Sequence, residues 1–180
     1  MSFMYDEIRE QPDVIGRLID EEQESVARLA AEIERRDIRF VIMAARGTSD
    51  HAAIYGKYLL EIKNSIPVGL ADSSVFTLYD AKLKMDHVLV IGISQSGQAT
   101  DVAEYLKCCK EAGALTAAIT NVAGSTITQI ADHTILCHAG PEKGVAATKT
   151  YTSTLAALYL LSASLLHDVE HARQQLLECA

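Results

Sequence analysis

The chain has 180 residues, of which 49% are hydrophobic, enough to bury a substantial core in one domain and too many for a disordered chain. Sixteen basic residues against 24 acidic ones leave a formal net charge of −8, which argues against a general nucleic-acid binder. Any phosphate site must therefore work locally, through N–H and O–H donors.

Residues 1–12 read as a short polar lead with a possible helical turn. Pro12 suits the first turn of the next helix. Val14, Ile15, Leu18, Ile19, Val26, Leu29, Ala30 and Ile33 continue a helical stripe to about Arg35. An apolar run over 38–45 predicts a strand that ends in the polar loop Arg46-Gly47-Thr48-Ser49, and a helix is expected over 51–62. A short strand follows at 66–70. Asp72, Ser73 and Ser74 can cap a helix running to about Ala81. The run Val88-Leu89-Val90-Ile91 predicts a strand buried on both faces. It breaks into Ser94-Gln95-Ser96-Gly97, and a helix is expected over 98–112. A strand at 115–120 leads into Asn121-Val122-Ala123-Gly124-Ser125. A short helix to Ile130 and a strand at 133–137 come next. Residues 138–149 form a Gly-bearing loop, and 151–167 a long closing helix that the tail can continue.

Five strand candidates alternating with helices predict an α/β fold, a parallel sheet covered by helices on both faces. The expected divisions are a helical lead at 1–35, the sheet-bearing domain at 36–167 and a helical tail at 168–180. Cys108, Cys109, Cys137 and Cys179 show no CxxC spacing and no partnering His cluster, so no metal site is expected and reduced thiols in a cytoplasmic protein are the plain reading. Asp6, Glu7 and Glu10 interrupt the start, so no signal peptide is read there. The 151–166 stretch is too short and too rich in Ser and Thr for a membrane span; a buried helix fits it better.

Three strands end in loops rich in hydroxyls, amides and glycine: 47–49, 94–97 and 121–125. In a doubly wound sheet such loops gather along one edge, where ligands bind. A glycine, backbone N–H groups and a helix N-terminus make a seat for a small anion. Serine and threonine also cap helices in these positions, but three such loops together favour ligand binding. Competing motifs fail. There is no GxGxxG, Thr148 stands where a P-loop needs glycine before Lys149, and Gly92-Ile93-Ser94-Gln95-Ser96-Gly97 is offset from GxSxG. Of the six histidines, His51 alone is placed near a ligand loop, with a helix-start role as the alternative. Glu142 and Lys149 flank Gly144 as site groups or as a surface pair. Arg46 offers positive charge at the site mouth or a surface salt bridge.

The segments Arg46-Gly47-Thr48-Ser49, Ser94-Gln95-Ser96-Gly97, Asn121-Val122-Ala123-Gly124-Ser125 and Glu142-Lys143-Gly144-Val145-Ala146-Ala147-Thr148-Lys149 carry a resemblance that covers nearly the whole chain. In this order they resemble the sugar isomerase (SIS) domain, and within that family the first of the two such domains in the isomerase half of glucosamine-6-phosphate synthases. The resemblance implies a three-layer αβα sandwich with a five-stranded parallel sheet. It implies that Ser94, Gln95 and Ser96 bind a sugar's phosphate, that Thr48 and Ser49 face the sugar, and that Val145 and Ala146 line it. Gln98-Ala99 stands where the family has Glu-Thr, so a phosphate-binding hydroxyl is missing at Ala99, with Thr100 adjacent. Arg46 replaces a small residue or cysteine, and Ala147 a serine.

The synthases carry their catalytic Glu, ring-opening His and Schiff-base Lys in or after the second such domain, and a glutaminase domain ahead of both. The expectation is therefore one half of an isomerase module that binds a hexose-6-phosphate, needs no cofactor or metal, and catalyses little by itself. The alternatives are a stand-alone isomerase completed by homodimerisation, with Glu142 or His51 as acid–base groups, and a sugar-phosphate sensor. A homodimer is expected, since a lone half exposes the surface its relatives bury. No nucleic-acid or membrane partner is expected.

Overall fold

The computed structural model describes residues 2–72, 74–77, 79 and 81–179. Its centre is a five-stranded, all-parallel sheet with strands β1 (Phe40–Ala44), β2 (Val68–Leu70), β3 (Val88–Ile93), β4 (Leu115–Thr120) and β5 (His133–Leu136). Their order is β2-β1-β3-β4-β5. Val41 pairs with Leu89, Ile91 with Ala117 and Ile119 with Ile135, so β3 is the central strand, flanked by β1 and β4. All six residues of β4 are buried, which is why the inner strands read as continuous apolar runs and do not alternate with polar residues.

Side chains nevertheless alternate between two cores. Val41, Met43, Leu89, Ile91 and Ile93 face helices α2 (Gln11–Arg35), α3 (Thr48–Lys63) and α7 (Lys149–Leu165). Ala44, Val90 and Ala118 face α5 (Thr100–Glu111) and α6 (Thr126–Ile130). This two-residue period divides each strand between the two helical layers. The helix read over 151–167 is α7, and it is core: Ala156, Ala157, Leu158, Leu160 and Leu161 are all buried. Core packing therefore accounts for its apolar character. Among the described residues no helix is long and apolar enough to cross a membrane.

Three expectations need correction. The lead forms a complete short helix, α1 (Phe3–Arg9), with the Ser2 hydroxyl accepting from Tyr5 N at its start. The helix expected from Asp72 to about Ala81 is α4 (Ser74–Thr77), and Ser73, Leu78 and Asp80 lie outside the described residues. The tail does not continue α7. His167 takes a left-handed φ of 55°, and the His167 and Asp168 amides turn back to Ser164 O and Ala163 O at 3.1 and 2.9 Å. That pair of reversed bonds satisfies the last carbonyls and ends the helix. The tail starts afresh as α8 (Val169–Cys179), and Arg173 joins it to Asp20 of α2 at 2.8 Å.

One acid secures the β4–β5 side of the sheet. Asp132 accepts from Thr116 N and Oγ1 at 3.0 and 2.8 Å, and its other oxygen meets Lys110 Nζ at 2.7 Å. Burial pushes this carboxyl up, but the bonds from Lys110 and Thr116 outweigh it and hold the group below the usual carboxylate range. A depressed native pKa contributes stability above the unfolded-state value and loses it as pH falls through the native one. Urea midpoints between about pH 2 and 6 are therefore expected to fall more steeply for the wild type than for Asp132→Asn. Parallel profiles would refute this.

Candidate functional site

The strand order reverses between β1 and β3, so the connections leaving these strands depart in opposite directions and open a crevice at their carboxyl ends. A cleft of about 260 Å³ occupies it. Arg46, Thr48 and Ser49 line it after β1, and Ser94, Gln95 and Ser96 after β3. Glu142, Gly144, Val145 and Ala147 come from the loop after β5. Ala52, Ile93 and Ala99 add apolar surface, and Thr150, Tyr151 and Thr154 project from α7.

The cleft gathers hydrogen-bond donors although the chain is acidic. Thr48 and Ser49 are the first two residues of α3, and Ala99 is the N-cap of α5. Both helices thus present their N-terminal amides and the positive ends of their dipoles. Ser96 Oγ accepts from Gln98 N at 3.3 Å and keeps its own proton for an outside acceptor. Arg46 meets Asp101 at 3.2 Å and also lines the cleft, so both readings of this residue hold.

Gly97 gives the 94–97 loop its shape. Its φ is +66°, and a Cβ there would stand 2.0 Å from Ser125 Oγ. The chain turns back through Gly97 N, which donates to Ser94 O at 3.1 Å, while Gly97 O accepts from Ile127 N. Only a residue without a side chain fits both the left-handed turn and the space above Ser125.

Glu142 ties two walls together. Its carboxylate accepts from Thr148 N at 2.7 Å, Thr148 Oγ1 at 3.1 Å, Thr150 N at 3.4 Å and the Thr150 hydroxyl. Gln95 Nε2 donates to it from the opposite loop at 3.1 Å. The negative group sits at the start of α7, where the helix dipole favours it. Lys149 does not form a surface pair with it. Lys149 is only 2% exposed and its ammonium turns to Glu10, 2.6 Å away.

The structure thus brings together Thr48, Ser49, Ser94, Gln95, Ser96, Val145 and Glu142. His51, Thr100 and Ala146 are exposed and are not among the residues that line the cleft. The 121–125 loop has a different place from that expected. Asn121 fastens the last loop, donating to Gly140 O at 2.7 Å and accepting from Ala139 N at 2.8 Å, while Ser125 lies beneath Gly97. Thr150, Tyr151 and Thr154 escaped the sequence reading. Their signal was the polar stretch opening an apolar helix, with Thr150 and Thr154 one turn apart on one face. Next to Thr154, burial pushes the Cys137 thiol up to about 11, so it stays protonated near neutral pH. Among the described residues no group of His, Cys, Asp and Glu side chains is placed to hold a metal ion.

The family model of the SIS domain matches residues 19–164. The chain belongs to the SIS domain family. Over 98% of its length it is 41% identical to the glutamine–fructose-6-phosphate aminotransferase (isomerizing) of Thermococcus kodakarensis, and it spans 29% of that protein. The crystal structure of a candidate phosphosugar isomerase from Silicibacter pomeroyi DSS-3 superposes with a TM-score of 0.94 at 39% identity, over 99% of this chain and 55% of that one. The C-terminal domain of glucosamine-fructose-6-phosphate aminotransferase from Francisella tularensis follows at TM-score 0.78 and 27% identity, over 98% of this chain and 51% of that one. The SIS chain therefore has the length of about half of these solved relatives.

Proposed function

We propose that this SIS domain binds a hexose-6-phosphate, with the phosphate on Ser94, Gln95 and Ser96 and the sugar against Thr48, Ser49 and Val145. The observation that carries this reading is the convergence of two hydroxyl-bearing loops and two helix N-termini on one cleft at the switch point. The names of the relatives point to the same substrate class. Thr100, one residue past the N-cap of α5, is the nearest replacement for the hydroxyl missing at Ala99. Residues 36–167 carry the loops of the site, α1 and α2 come before them, and α8 packs on α2 and α7.

The module we infer is one half of a glucosamine-6-phosphate synthase-like isomerase. Its chemistry moves a proton between adjacent sugar carbons and needs a general base. Glu142 is the carboxylate at the cleft, but it already accepts five hydrogen bonds. Holding the site in shape is therefore the role its geometry supports best.

Isothermal titration with fructose-6-phosphate, glucosamine-6-phosphate and inorganic phosphate tests the site. A sugar phosphate is expected to bind more tightly than phosphate. Ser96→Ala removes one charge-assisted bond, about 1.5–3 kcal/mol, and should weaken binding by about 10- to 100-fold. Unchanged affinity in Ser96→Ala would move the phosphate elsewhere. Among the described residues none of the four cysteines forms a disulfide, which suits a cytoplasmic protein. We further infer a homodimer, supported by the exposed apolar side chains of Phe3, Met4, Tyr5, Ile8 and Val145. Sedimentation at micromolar concentration with the mass of a single chain would refute it.

A further inference from the structure

We propose that α1 and its C-cap residue Glu10 form a latch whose two carboxylates, Glu7 and Glu10, set the shape of the cleft wall formed by residues 143–149, making these two acids positioning residues of the site. Glu7 is only 4% exposed, and it is the one buried residue of α1. Its carboxylate accepts the amide of Lys143 and that of Gly144, the latter at 3.0 and 3.2 Å to its two oxygens. Glu10, three residues on, holds the buried Lys149 ammonium. The two acids thus fasten both ends of the segment that brings Gly144, Val145 and Ala147 to the cleft.

Two further observations separate a latch from ordinary packing. First, Phe3, Met4, Tyr5 and Ile8 are exposed, so α1 contributes little apolar burial. Its inward contact is polar and is made to the site loop. Second, the loop is shaped to receive the acid. A Cβ on Gly144 would stand 2.6 Å from Glu7 Oε2, so the missing side chain lets the carboxylate lie directly against the backbone there. The Lys143 ammonium adds a contact 5.5 Å from the centre of the Phe3 ring. The backbone of the 94–97 loop is held by its own bonds through Gly97, Thr120 and Ile127, and its side-chain tie to the latched segment is the one from Gln95 to Glu142. Releasing α1 therefore acts first on the sugar side of the cleft and leaves the backbone of the phosphate side in place.

The role in binding rests on the sugar-phosphate reading, whereas the latch itself is testable without ligand. In the full chain, Glu7→Gln keeps the shape of the side chain and one acceptor oxygen, but replaces the other oxygen and the negative charge with an N–H₂ that meets the Gly144 N–H. Hydrogen exchange of the amides at 143–148 in the ligand-free protein is expected to speed up about tenfold or more. Affinity for glucosamine-6-phosphate or fructose-6-phosphate is expected to fall about tenfold, with affinity for inorganic phosphate unchanged. Glu10→Gln should act in the same direction, and the exchanged pair Glu10→Lys with Lys149→Glu should recover part of the loss. A merely structural role would weaken both ligands together. Unchanged exchange in Glu7→Gln, or parallel loss of sugar phosphate and phosphate, overturns the proposal. If the wild type binds no sugar phosphate, the reading of the site and the latch's part in binding fall together. Exchange at 143–148 then decides whether α1 holds the loop.

Discussion

Gly97→Ala is expected to abolish sugar-phosphate binding and to destabilise the fold by about 2–4 kcal/mol. Two costs combine. The left-handed φ of +66° disfavours any side chain, at about 1–2 kcal/mol. The added methyl would also lie 2.0 Å from Ser125 Oγ, 2.4 Å from Ser125 Cβ and 3.0 Å from Thr120 Oγ1. Turning the Ser125 hydroxyl away does not relieve the clash, because Ser125 Cβ is itself too close and its backbone is fixed: it is 2% exposed, it stands at the N-cap position of α6, and its carbonyl accepts from the Thr128 hydroxyl at 2.7 Å. The 94–97 loop must therefore lift, carrying Ser94, Gln95 and Ser96 out of register with the N-terminus of α5. Adding Ser125→Gly should recover part of the stability by removing the clash, while the φ penalty stays. Thermal melts and titration against glucosamine-6-phosphate read both effects. Wild-type affinity in Gly97→Ala would show that the loop geometry is not what holds the ligand.

The second large effect is expected at Glu142. Glu142→Ala leaves the Thr148 amide, the Thr150 hydroxyl and the Gln95 amide without their acceptor. Each unpaired donor costs about 1–3 kcal/mol where water does not replace the lost partner. Because the cleft is partly open, a total of about 2–4 kcal/mol is expected, together with loss of measurable sugar-phosphate binding. Glu142→Gln separates holding from chemistry. It keeps an acceptor oxygen and most of the tie, so binding should survive with a several-fold loss. An assay of aldose–ketose interconversion with the same variant reports on proton transfer. Normal binding by Glu142→Ala would remove this residue from the site altogether.

The local structure was legible because it follows from burial. Strand β4 reads directly from Leu115 to Thr120, since a strand covered on both faces has no need of polar residues. The hydroxyl loops after β1 and β3 were legible for a related reason. A helix that starts at the carboxyl edge of a parallel strand needs donors and caps there, and Thr48, Ser49, Ser94 and Ser96 announce them. The tail was misread because the end of α7 depends on a left-handed φ at His167, a weaker signal than the glycine usual at that position.

Composition and period by themselves determined the α/β class, the positions of the five strands and two of the loops that line the cleft. These are consequences of near-neighbour pattern: which residues avoid water, and where the pattern breaks. The tertiary structure decided which loops meet. It drew the loops after β1 and β3 together at the switch point and gave the 121–125 loop a supporting place behind them. It turned Lys149 from Glu142 to Glu10 and placed Glu7 on amides more than 130 residues away. Such pairings depend on the strand order and on how helices α1 and α7 pack. No local period in the chain encodes them, because a carboxylate reads the same whether it faces water or a buried amide.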